Sequence, residues 1–342
     1  VLAGLQKTNY PVSYKELNGV LQDYHKLLFE EEFTKKHGNY IAKKYVHYSD
    51  FIGPNLVTLD MINAGPINSN MNVPNITEPN AYCVTEKADG DRHLLYITNN
   101  GKIYIINSNM KVMFTGSITY EKTCFNSIID GELILHGKNG DFINTFAAFD
   151  AYYIDGIDIR SRPFINTHSV DEKHFKNGCR LPFLKEFIRR LKPESVTAGM
   201  KHIIGSSPSS IKIISKKFYP SFDSEMSEVS LKDLAKMAQN KLNASESETS
   251  NEIFNASRYL LRRIADKEYP YEIDGLIFTP TLLGVGGDKM FETGPKRKMT
   301  WKHIFKWKPS EATTIFPKSY NTIDFLVSTK KGTDGTDVIT PV

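Results

Sequence analysis

The sequence predicts an α+β fold in which antiparallel strands carry the unusual polar residues and helices flank the sheets. Apolar runs bounded by turn residues recur between residues 82 and 153 and again after residue 272, which indicates strands. Apolar residues at helical spacing follow residue 13 and recur between residues 158 and 269. With 342 residues, 40% of them hydrophobic and 24% charged, the chain is long enough for about two globular domains.

The first predicted element is a helix that starts at Ser13, which forms a capping box with Glu16. Gly38 is typical of a helix end. The apolar stripe of this helix predicts a role in the core and no chemistry. We expect residues 1–54 to form an N-terminal helical segment, and residues 53–80, rich in Pro, Asn and Gly, to form an irregular connector.

Residues 82–98 predict a strand, a tight turn and a second strand. The turn at Asp89-Gly90-Asp91 places Lys87 at the end of the first strand and Arg92 at the start of the second. The spacing K-x-D-G-x-R suits a rigidly held lysine nucleophile beside an arginine that reaches a sugar or phosphate. The alternative is an Asp-Gly hairpin with solvated side chains, and this stretch taken alone favours that alternative.

Further strands follow an Asn-Gly hairpin at residues 99–102. The predicted strand 128–135 contains Asp130-Gly131-Glu132 within an apolar run, a locally costly arrangement of the kind that often marks a functional site. A β-bulge with exposed acids is the alternative. The next predicted strand, 142–153, carries Phe149 and Asp150. Aromatic residues at this spacing are usually core, and stacking on a nucleotide base is the less common role.

Helical patterns dominate between residues 158 and 269. We predict helices at residues 170–191, 231–241 and 253–267, a strand at 210–219, and a polar linker at 244–250.

The last predicted strands contain more polar residues. Glu272, Asp274 and a glycine interrupt the apolar run 272–278. Lys306 and Lys308 lie two residues apart, so they share one face of the strand 304–309, and Phe305 and Trp307 point to the other face, toward the core. Two adjacent ammonium groups repel each other unless an anion lies between them.

Charge and composition narrow the function further. The net charge is +4, and residues 296–308 contain six basic residues, no acid and interleaved aromatic residues, which suits phosphate or nucleic acid. For Lys296–Lys298 a solvated basic loop is an equal alternative. Three cysteines without metal-ligand spacing predict a reducing compartment and no zinc site. Because neither a membrane-spanning run nor a secretory signal is visible, we expect a cytoplasmic protein that is not secreted and binds no membrane.

Polar residues thus interrupt apolar strands at four places: Lys87 with Arg92, Asp130 with Glu132, Glu272 with Asp274, and Lys306 with Lys308. The simplest common cause is one cleft for a phosphorylated nucleotide and a divalent cation. Lysines would contact phosphate oxygens, and carboxylates would contact Mg²⁺ or ribose hydroxyls. A lysine nucleophile must be unprotonated to attack, and nearby cations favour that form.

In chain order, these residues resemble the motifs of covalent nucleotidyltransferases, the superfamily of ATP-dependent DNA ligases, RNA ligases and GTP-dependent mRNA capping enzymes. The matching segments are Lys87-x-Asp89-Gly90-x-Arg92, Asp130-Gly131-Glu132, Phe149-Asp150, Asp274-Gly275-Leu276-Ile277 and Lys306-Trp307-Lys308-Pro309. The fourth segment, and the fifth together with Thr322-Ile323-Asp324-Phe325, look most like capping enzymes. Thr300-Trp301 and the long helical insert resemble the multifunctional capping enzymes of large cytoplasmic DNA viruses.

The resemblance covers residues 55–330 and implies a nucleotidyltransferase (ligase/capping-enzyme) fold with antiparallel sheets around a nucleotide cleft. It implies an mRNA guanylyltransferase that forms a covalent lysine-GMP from GTP and transfers GMP to a 5′-diphosphate RNA end. The roles carried over are Lys87 as nucleophile, Arg92 and Glu132 on the ribose, Phe149 on guanine, Asp274 on Mg²⁺ or Mn²⁺ with Glu132 as a second candidate ligand, and Lys306 and Lys308 on the α-phosphate.

The resemblance also implies a domain organisation. We expect an N-terminal segment at 1–54, a nucleotidyltransferase domain at 55–318 with a helical insert at about 158–269, and the start of a truncated OB-type domain or a linker at 319–342. The family's sixth motif, R-x-D-K, is missing, since Arg263–Lys267 is one residue too long and precedes the fourth motif. The OB domain is therefore absent or only begun. Triphosphatase and methyltransferase domains of a longer polypeptide are the expected partners, and a viral factory or virion the location if the protein is viral.

Two other functions stay open. One is the adenylation domain of an ATP-dependent polynucleotide ligase, and the other is an inactive RNA-binding module with the same fold. The intact motifs argue against the second, because an inactive site has no physical reason to keep Lys87, Glu132 and Lys306 together.

Overall fold

The computed structural model describes residues 2–6, 8–40, 45–67, 73–166, 178–196, 211–220, 252–309, 327–331 and 337–341. The helices are α1 (Leu2–Gln6), α2 (Tyr14–His37), α3 (Met61–Ala64), α4 (Arg180–Leu191) and α5 (Glu252–Ala265), with 3₁₀ turns at Tyr48–Asp50 and Lys122–Cys124. The strands are β1 (Asn55–Thr58), β2 (Tyr82–Ala88), β3 (Asp91–Ile97), β4 (Lys102–Asn107), β5 (Val112–Ile118), β6 (Ser127–His136), β7 (Phe142–Ile154), β8 (Ile157–Asp158), β9 (Glu194–Ser195), β10 (Lys212–Ser215), β11 (Tyr219–Pro220), β12 (Ile273–Pro280), β13 (Thr300–Trp307), β14 (Val327–Lys331) and β15 (Asp337–Pro341).

The strands form two large sheets. A five-stranded sheet has the order β1-β13-β12-β2-β11, and an eight-stranded sheet has the order β10-β7-β6-β3-β4-β5-β9 with β8 beside β7. Neighbouring strands are antiparallel except in the pairs β1–β13 and β10–β7, which are parallel. Among the described strands, the last two, β14 and β15, pair with each other and with no third strand. The predicted α+β class with antiparallel sheets is confirmed.

Helices cover the sheets on their apolar faces. Along β3 the side chains alternate, so that Leu95 packs in one core cluster with α4 while Leu94 packs in another with α2. A third cluster joins α5 to the five-stranded sheet. The cleft-bearing strands are therefore fixed from behind by three separate apolar layers.

Helix α2 ends as predicted, but only half of the predicted capping box is present, because the Glu16 carboxylate instead accepts from Lys102 Nζ and the Tyr104 hydroxyl, both at 2.6 Å. Ser13 Oγ accepts a hydrogen bond from the backbone N–H of Glu16 at 3.1 Å. At the other end Gly38 has φ = 78°, and its N–H donates to Thr34 O at 2.9 Å. Glycine reaches this left-handed backbone conformation without steric cost, which is why the helix ends there.

Three boundaries differ from the predictions. Residues 53–80 are not wholly irregular, because β1 pairs with β13, a long-range contact that local composition does not reveal. The helix predicted at 170–191 begins at Arg180 in the described part, since Gly178 (φ +74°) and Cys179 precede it in non-helical conformations. The strand predicted at 210–219 is two short strands, β10 and β11, which belong to different sheets.

The remaining predictions for this region divide in two. The helix predicted at 253–267 is confirmed as α5. The predicted helix 231–241, the linker 244–250 and residues 170–177 lie outside the described residues. Between β10 and β11 the chain crosses from the eight-stranded to the five-stranded sheet, and this crossing carries Lys216.

Candidate nucleotide site

A cleft of about 240 Å³ is lined by residues of both sheets. Five of the predicted site residues line it, namely Lys87, Arg92, Glu132, Phe149 and Lys306. The other two, Asp274 and Lys308, join it through ion pairs: Asp274 contacts Lys87, and Lys308 contacts Asp274. The strand register accounts for this convergence. Lys87 on β2 lies opposite Gly275 on β12, and Ile277, two residues further along β12, lies opposite Lys306 on β13.

Lys87 is held by a carboxylate. Its Nζ donates to Asp274 Oδ1 at 2.7 Å and to Oδ2 at 2.9 Å. Lys308 Nζ approaches the same Oδ2 at 2.7 Å, so two ammonium groups share one carboxylate. Gly275 permits this close approach of strands, because a Cβ there would collide with the backbone oxygen of Trp307.

Arg92 is fixed by a buried acid. Its Nε donates to Asp130 Oδ1 at 3.1 Å, and its Nη2 and the Tyr152 hydroxyl both donate to Asp130 Oδ2. Its Nη1 donates to Pro54 O at 2.6 Å. Burial disfavours the charged guanidinium, but the charge and hydrogen bonds of Asp130 outweigh it and raise the pKa of Arg92. The three bonds set the direction of the guanidinium plane before any ligand arrives.

The acids of β6 are not exposed, which corrects one alternative of the sequence analysis. A bulge does lie at Asp130/Gly131, but Asp130 is fully buried and Glu132 is half-buried. Glycine is required at position 131 for a steric reason, since a Cβ there would overlap the ring of Phe146. The bulge therefore lets Asp130 hold Arg92 in the wall of the cleft while Glu132 lines the cleft.

Glu132 lies directly opposite Arg92 in the register of β3 and β6. Among the described residues none donates a hydrogen bond to its carboxylate. Burial disfavours the charged form and raises the pKa of Glu132 to about 7, although Lys216, Lys87 and Arg92 oppose the shift. A half-buried carboxylate that receives no hydrogen bond from the protein is suited to accept a hydrogen bond from a ligand.

For Phe149 the sequence allows two roles, packing in the core or stacking on a nucleotide base. The ring of Phe149 packs at the edge of a core cluster and also lines the cleft, with the Arg92 guanidinium carbon 5.7 Å from its centroid. Its neighbour Asp150 pairs with buried Arg180, whose Nε donates to Asp150 Oδ1 at 2.9 Å. This pair ties β7 to the start of α4.

Sequence reasoning missed Lys216. This lysine lines the cleft, yet it is buried and pairs with buried Glu86, at 3.4 Å from Oε1 and through a hydrogen bond to the Glu86 backbone oxygen. Tyr271 and Thr85 also donate to the Glu86 carboxylate, at 3.0 and 2.9 Å. A lysine at the end of a short apolar run is common, so the sequence contains no signal for this pair.

The basic segment 296–298 is partly structural. Lys296 Nζ donates to Leu28 O at 2.7 Å and lies 3.2 Å from Glu32 Oε1, so it fastens this loop to α2. Lys298 donates its backbone N–H to Ser49 O at 2.9 Å. The solvated-loop alternative is therefore wrong for Lys296.

The carboxylates of the cleft, Glu132 and Asp274, suit a divalent cation that binds together with a phosphate group. Within the described ranges, no three His, Cys, Asp or Glu side chains converge on one point. Mg²⁺ usually takes one or two carboxylates together with substrate phosphates and water, so a complete protein cage is unnecessary. Both oxygens of Asp274 already contact lysines, whereas Glu132 receives no hydrogen bond from the described residues. Of the two, Glu132 is the one whose oxygens are not already hydrogen-bonded to the described residues.

Comparison with known proteins agrees with the geometry. Residues 66–228 match the family model described as mRNA capping enzyme, catalytic domain. The chain is 27% identical over 355 aligned positions to a probable mRNA-capping enzyme of Acanthamoeba polyphaga mimivirus, an alignment that covers 98% of this chain and 24% of that protein. The chain thus spans about a quarter of the length of this curated relative.

Two solved structures are also similar, both from DNA ligases. A mycobacterial DNA ligase D complexed with ATP and MES is 10% identical, with a TM-score of 0.33, covering 76% of this chain and 60% of that one. The ligase domain of Mycobacterium tuberculosis LigD is 10% identical, with a TM-score of 0.29, covering 67% and 53%. Scores this low add nothing to the assignment. Residues 66–228 are therefore similar to the catalytic domain of mRNA capping enzymes, and the chain as a whole is similar to a probable viral capping enzyme.

Proposed function

We propose that this chain is an mRNA guanylyltransferase that transfers GMP from GTP to a 5′-diphosphate RNA end through a lysine-GMP intermediate. The observation that carries the proposal is the cleft in which Lys87 lies with Arg92, Glu132, Phe149 and Lys306. These residues come from strands as far apart in sequence as β2 and β13. The family match and the viral relative support the same activity.

In the first step the Lys87 amine attacks the α-phosphorus of GTP. The ammonium group first gives one proton to solvent and becomes a neutral amine. A nitrogen–phosphorus bond then forms, the bond from the α-phosphorus to the bridging oxygen of pyrophosphate breaks, and the nitrogen releases a second proton to solvent and keeps one hydrogen. In the second step an oxygen of the RNA β-phosphate attacks the same phosphorus, and the lysine nitrogen leaves and regains a proton. Lys87 must first leave its hydrogen bonds to Asp274, which then remains paired with Lys308.

The other cleft residues would bind and orient GTP. Lys306, with Lys308 at the cleft edge, offsets the negative charge that develops on the α-phosphate. Arg92 and Glu132 face each other across two strands and suit the ribose hydroxyls. The ring of Phe149 suits stacking on the base.

The base preference is supported by Lys216. An ammonium group only donates hydrogen bonds, so it suits the O6 acceptor of guanine and opposes the amino group that adenine presents at the equivalent position. Burial next to Glu86 restricts the directions that this amine can take. This observation favours GTP over ATP, and hence capping over polynucleotide ligation.

A divalent metal, Mg²⁺ or Mn²⁺, is part of the proposal. Glu132 is the residue that would hold it, and Asp274 would do so only after releasing its lysines. When bound with the triphosphate, such an ion neutralises phosphate charge and favours departure of pyrophosphate.

The test is covalent labelling. Incubation with α-labelled GTP and Mg²⁺ should give acid-labile label on the wild-type chain, and Lys87→Arg should abolish it, because a guanidinium cannot lose its proton at neutral pH. Lys111→Arg, at an exposed lysine outside the cleft, is the matched control. Label from ATP alone, or label that survives in Lys87→Arg, would contradict the proposal.

The wider setting is also a proposal. Because the curated relative is about four times longer than its match to this chain, we propose that an OB domain, a triphosphatase and a methyltransferase belong to other segments of the same polypeptide or to partner chains. We propose a cytoplasmic site of action, in a viral factory or virion. None of the described helices is long and apolar enough to cross a membrane.

A further inference from the structure

An exposed aromatic ring lies among cations next to the cleft. Tyr48, in the 3₁₀ turn, is 53% exposed. Its ring centroid is 4.0 Å from that of His47 and 5.8 Å from Lys298 Nζ, and Arg297 is exposed beside Lys298. We call these four residues the Tyr48 platform.

The platform is held rigidly from beneath. Buried Asp50 closes the turn, since its Oδ2 accepts from the His47 N–H at 2.7 Å. The Tyr24 hydroxyl of α2 donates to Asp50 O at 2.8 Å, and Lys298 N–H donates to Ser49 O at 2.9 Å. An exposed ring on an anchored turn loses little conformational entropy when a ligand stacks on it.

The charges of the platform are available to an anion. Among the described residues, no acid pairs with Arg297 or Lys298, in contrast to Lys296, which pairs with Glu32, and Lys302, which lies 3.4 Å from Asp288. The nearby Asp50 carboxylate is turned inward onto the backbone of His47. A nucleotide chain could stack a base on the Tyr48 ring and place its phosphates on Arg297 and Lys298 at the same time.

The platform leads into the nucleotide cleft. From Lys298 the chain runs to Trp301, which lines the cleft, a path of roughly 10 Å for three extended residues. On the other side Pro54, five residues after Ser49, lines the cleft and accepts from Arg92. A single strand whose 5′ end reaches the α-phosphate site would therefore pass over the ring within its first few nucleotides.

We infer that the Tyr48 platform is the docking site for the 5′-terminal nucleotides of the single-stranded RNA acceptor. The inference rests on the proposed function and assigns its second substrate a place on the surface. A folded protein partner is disfavoured, because an exposed tyrosine ring beside two cations suits stacking and phosphate contact better than apolar packing.

The test measures RNA binding and GTP labelling separately. A 5′-diphosphate RNA oligonucleotide with a 3′ fluorophore is titrated with the full chain and followed by fluorescence anisotropy. Tyr48→Ala should weaken binding about 10-fold, and Tyr48→Phe, which keeps the ring, should not. Lys298→Ala should lower the slope of log K against log salt by about 0.7. None of these variants should change lysine-GMP formation.

An exposed tyrosine and an exposed lysine outside the Tyr48 platform serve as matched controls. Tyr120→Ala removes another exposed tyrosine and Lys111→Ala another exposed lysine, and both should bind RNA like the wild type. Equal RNA affinity of Tyr48→Ala and wild type, an equal loss in Tyr120→Ala, or equally tight binding of a blunt duplex would overturn the inference. Failure of the proposed function would look different, since the wild-type chain would then bind RNA without forming lysine-GMP.

Discussion

Glu132 illustrates how a residue's surroundings set its chemistry. It lines the cleft, receives no hydrogen bond from the described residues, and burial raises its pKa to about 7. Before a ligand binds, this carboxylate is therefore partly protonated near neutral pH. A ribose hydroxyl or a metal ion would favour the ionised form, so ligand binding should release a proton.

This shift predicts a pH-dependent stability. Because the folded pKa lies above the unfolded value, the folded state binds more protons between about pH 4.5 and about pH 7, and stability falls as pH rises through that window. The contribution is of the order of 3 kcal/mol. Urea unfolding at about pH 5 and about pH 8 should show that the wild type loses more stability than Glu132→Gln. Equal losses in the two proteins would show that another group titrates.

The residues of the cleft were only partly predictable from sequence. Lys87, Arg92 and Glu132 stand out because polar residues interrupt apolar strands, and the structure brings them together as expected. Lys216 and the Asp130 pairing were not predictable, since each depends on a partner from a distant strand or crossing. Local sequence shows a cost such as a buried charge, but it does not show what compensates for it.

At the scale of elements, two glycines, one in a crowded strand and one on an open helix surface, test the packing of β6 and α2. Gly131 lies at the β6 bulge, where a Cβ would meet the Phe146 ring, whereas Gly19 lies inside α2 with nothing within 4 Å of an added Cβ. Gly131→Ala should destabilise the protein by roughly 1–3 kcal/mol through overpacking. Gly19→Ala should stabilise it by about 0.5–1 kcal/mol, because alanine loses less backbone entropy in a helix.

Denaturant unfolding of both variants measures the two effects in one experiment. Destabilisation by Gly19→Ala, or a neutral Gly131→Ala, would contradict the packing described for that element.

Element existence was predicted better than element ends or partners. The caps of α2 and the Asn-Gly turn before β4 are local chemistry, so the sequence locates them well. β1 was missed because its four residues are a strand only through pairing with β13. The 210–219 strand was predicted as one unit because composition does not show where a chain leaves one sheet for another.

For the whole molecule, the cleft makes ligand binding a global event, since its walls come from both sheets. A nucleotide that bridges them should raise the unfolding temperature of the entire chain. At a free concentration of 100 times Kd the gain is about 2.7 kcal/mol. Thermal unfolding of Lys87→Arg, in which covalent labelling is blocked, should show this shift with GTP and a smaller one with ATP. No shift with GTP at millimolar concentration would contradict the placement of the nucleotide.

The pairing of β1 with β13 has a consequence for biosynthesis. Strands β3 to β6 follow one another along the chain and find their neighbours as they emerge from the ribosome. In contrast, β1 waits for β13, made more than 240 residues later, and β2 can pair with β11 first but waits more than 180 residues for β12. Lys87 therefore lacks its neighbour Gly275 and its partner Asp274 until nearly all of this region has been translated, and the proposed labelling of Lys87 should not begin earlier.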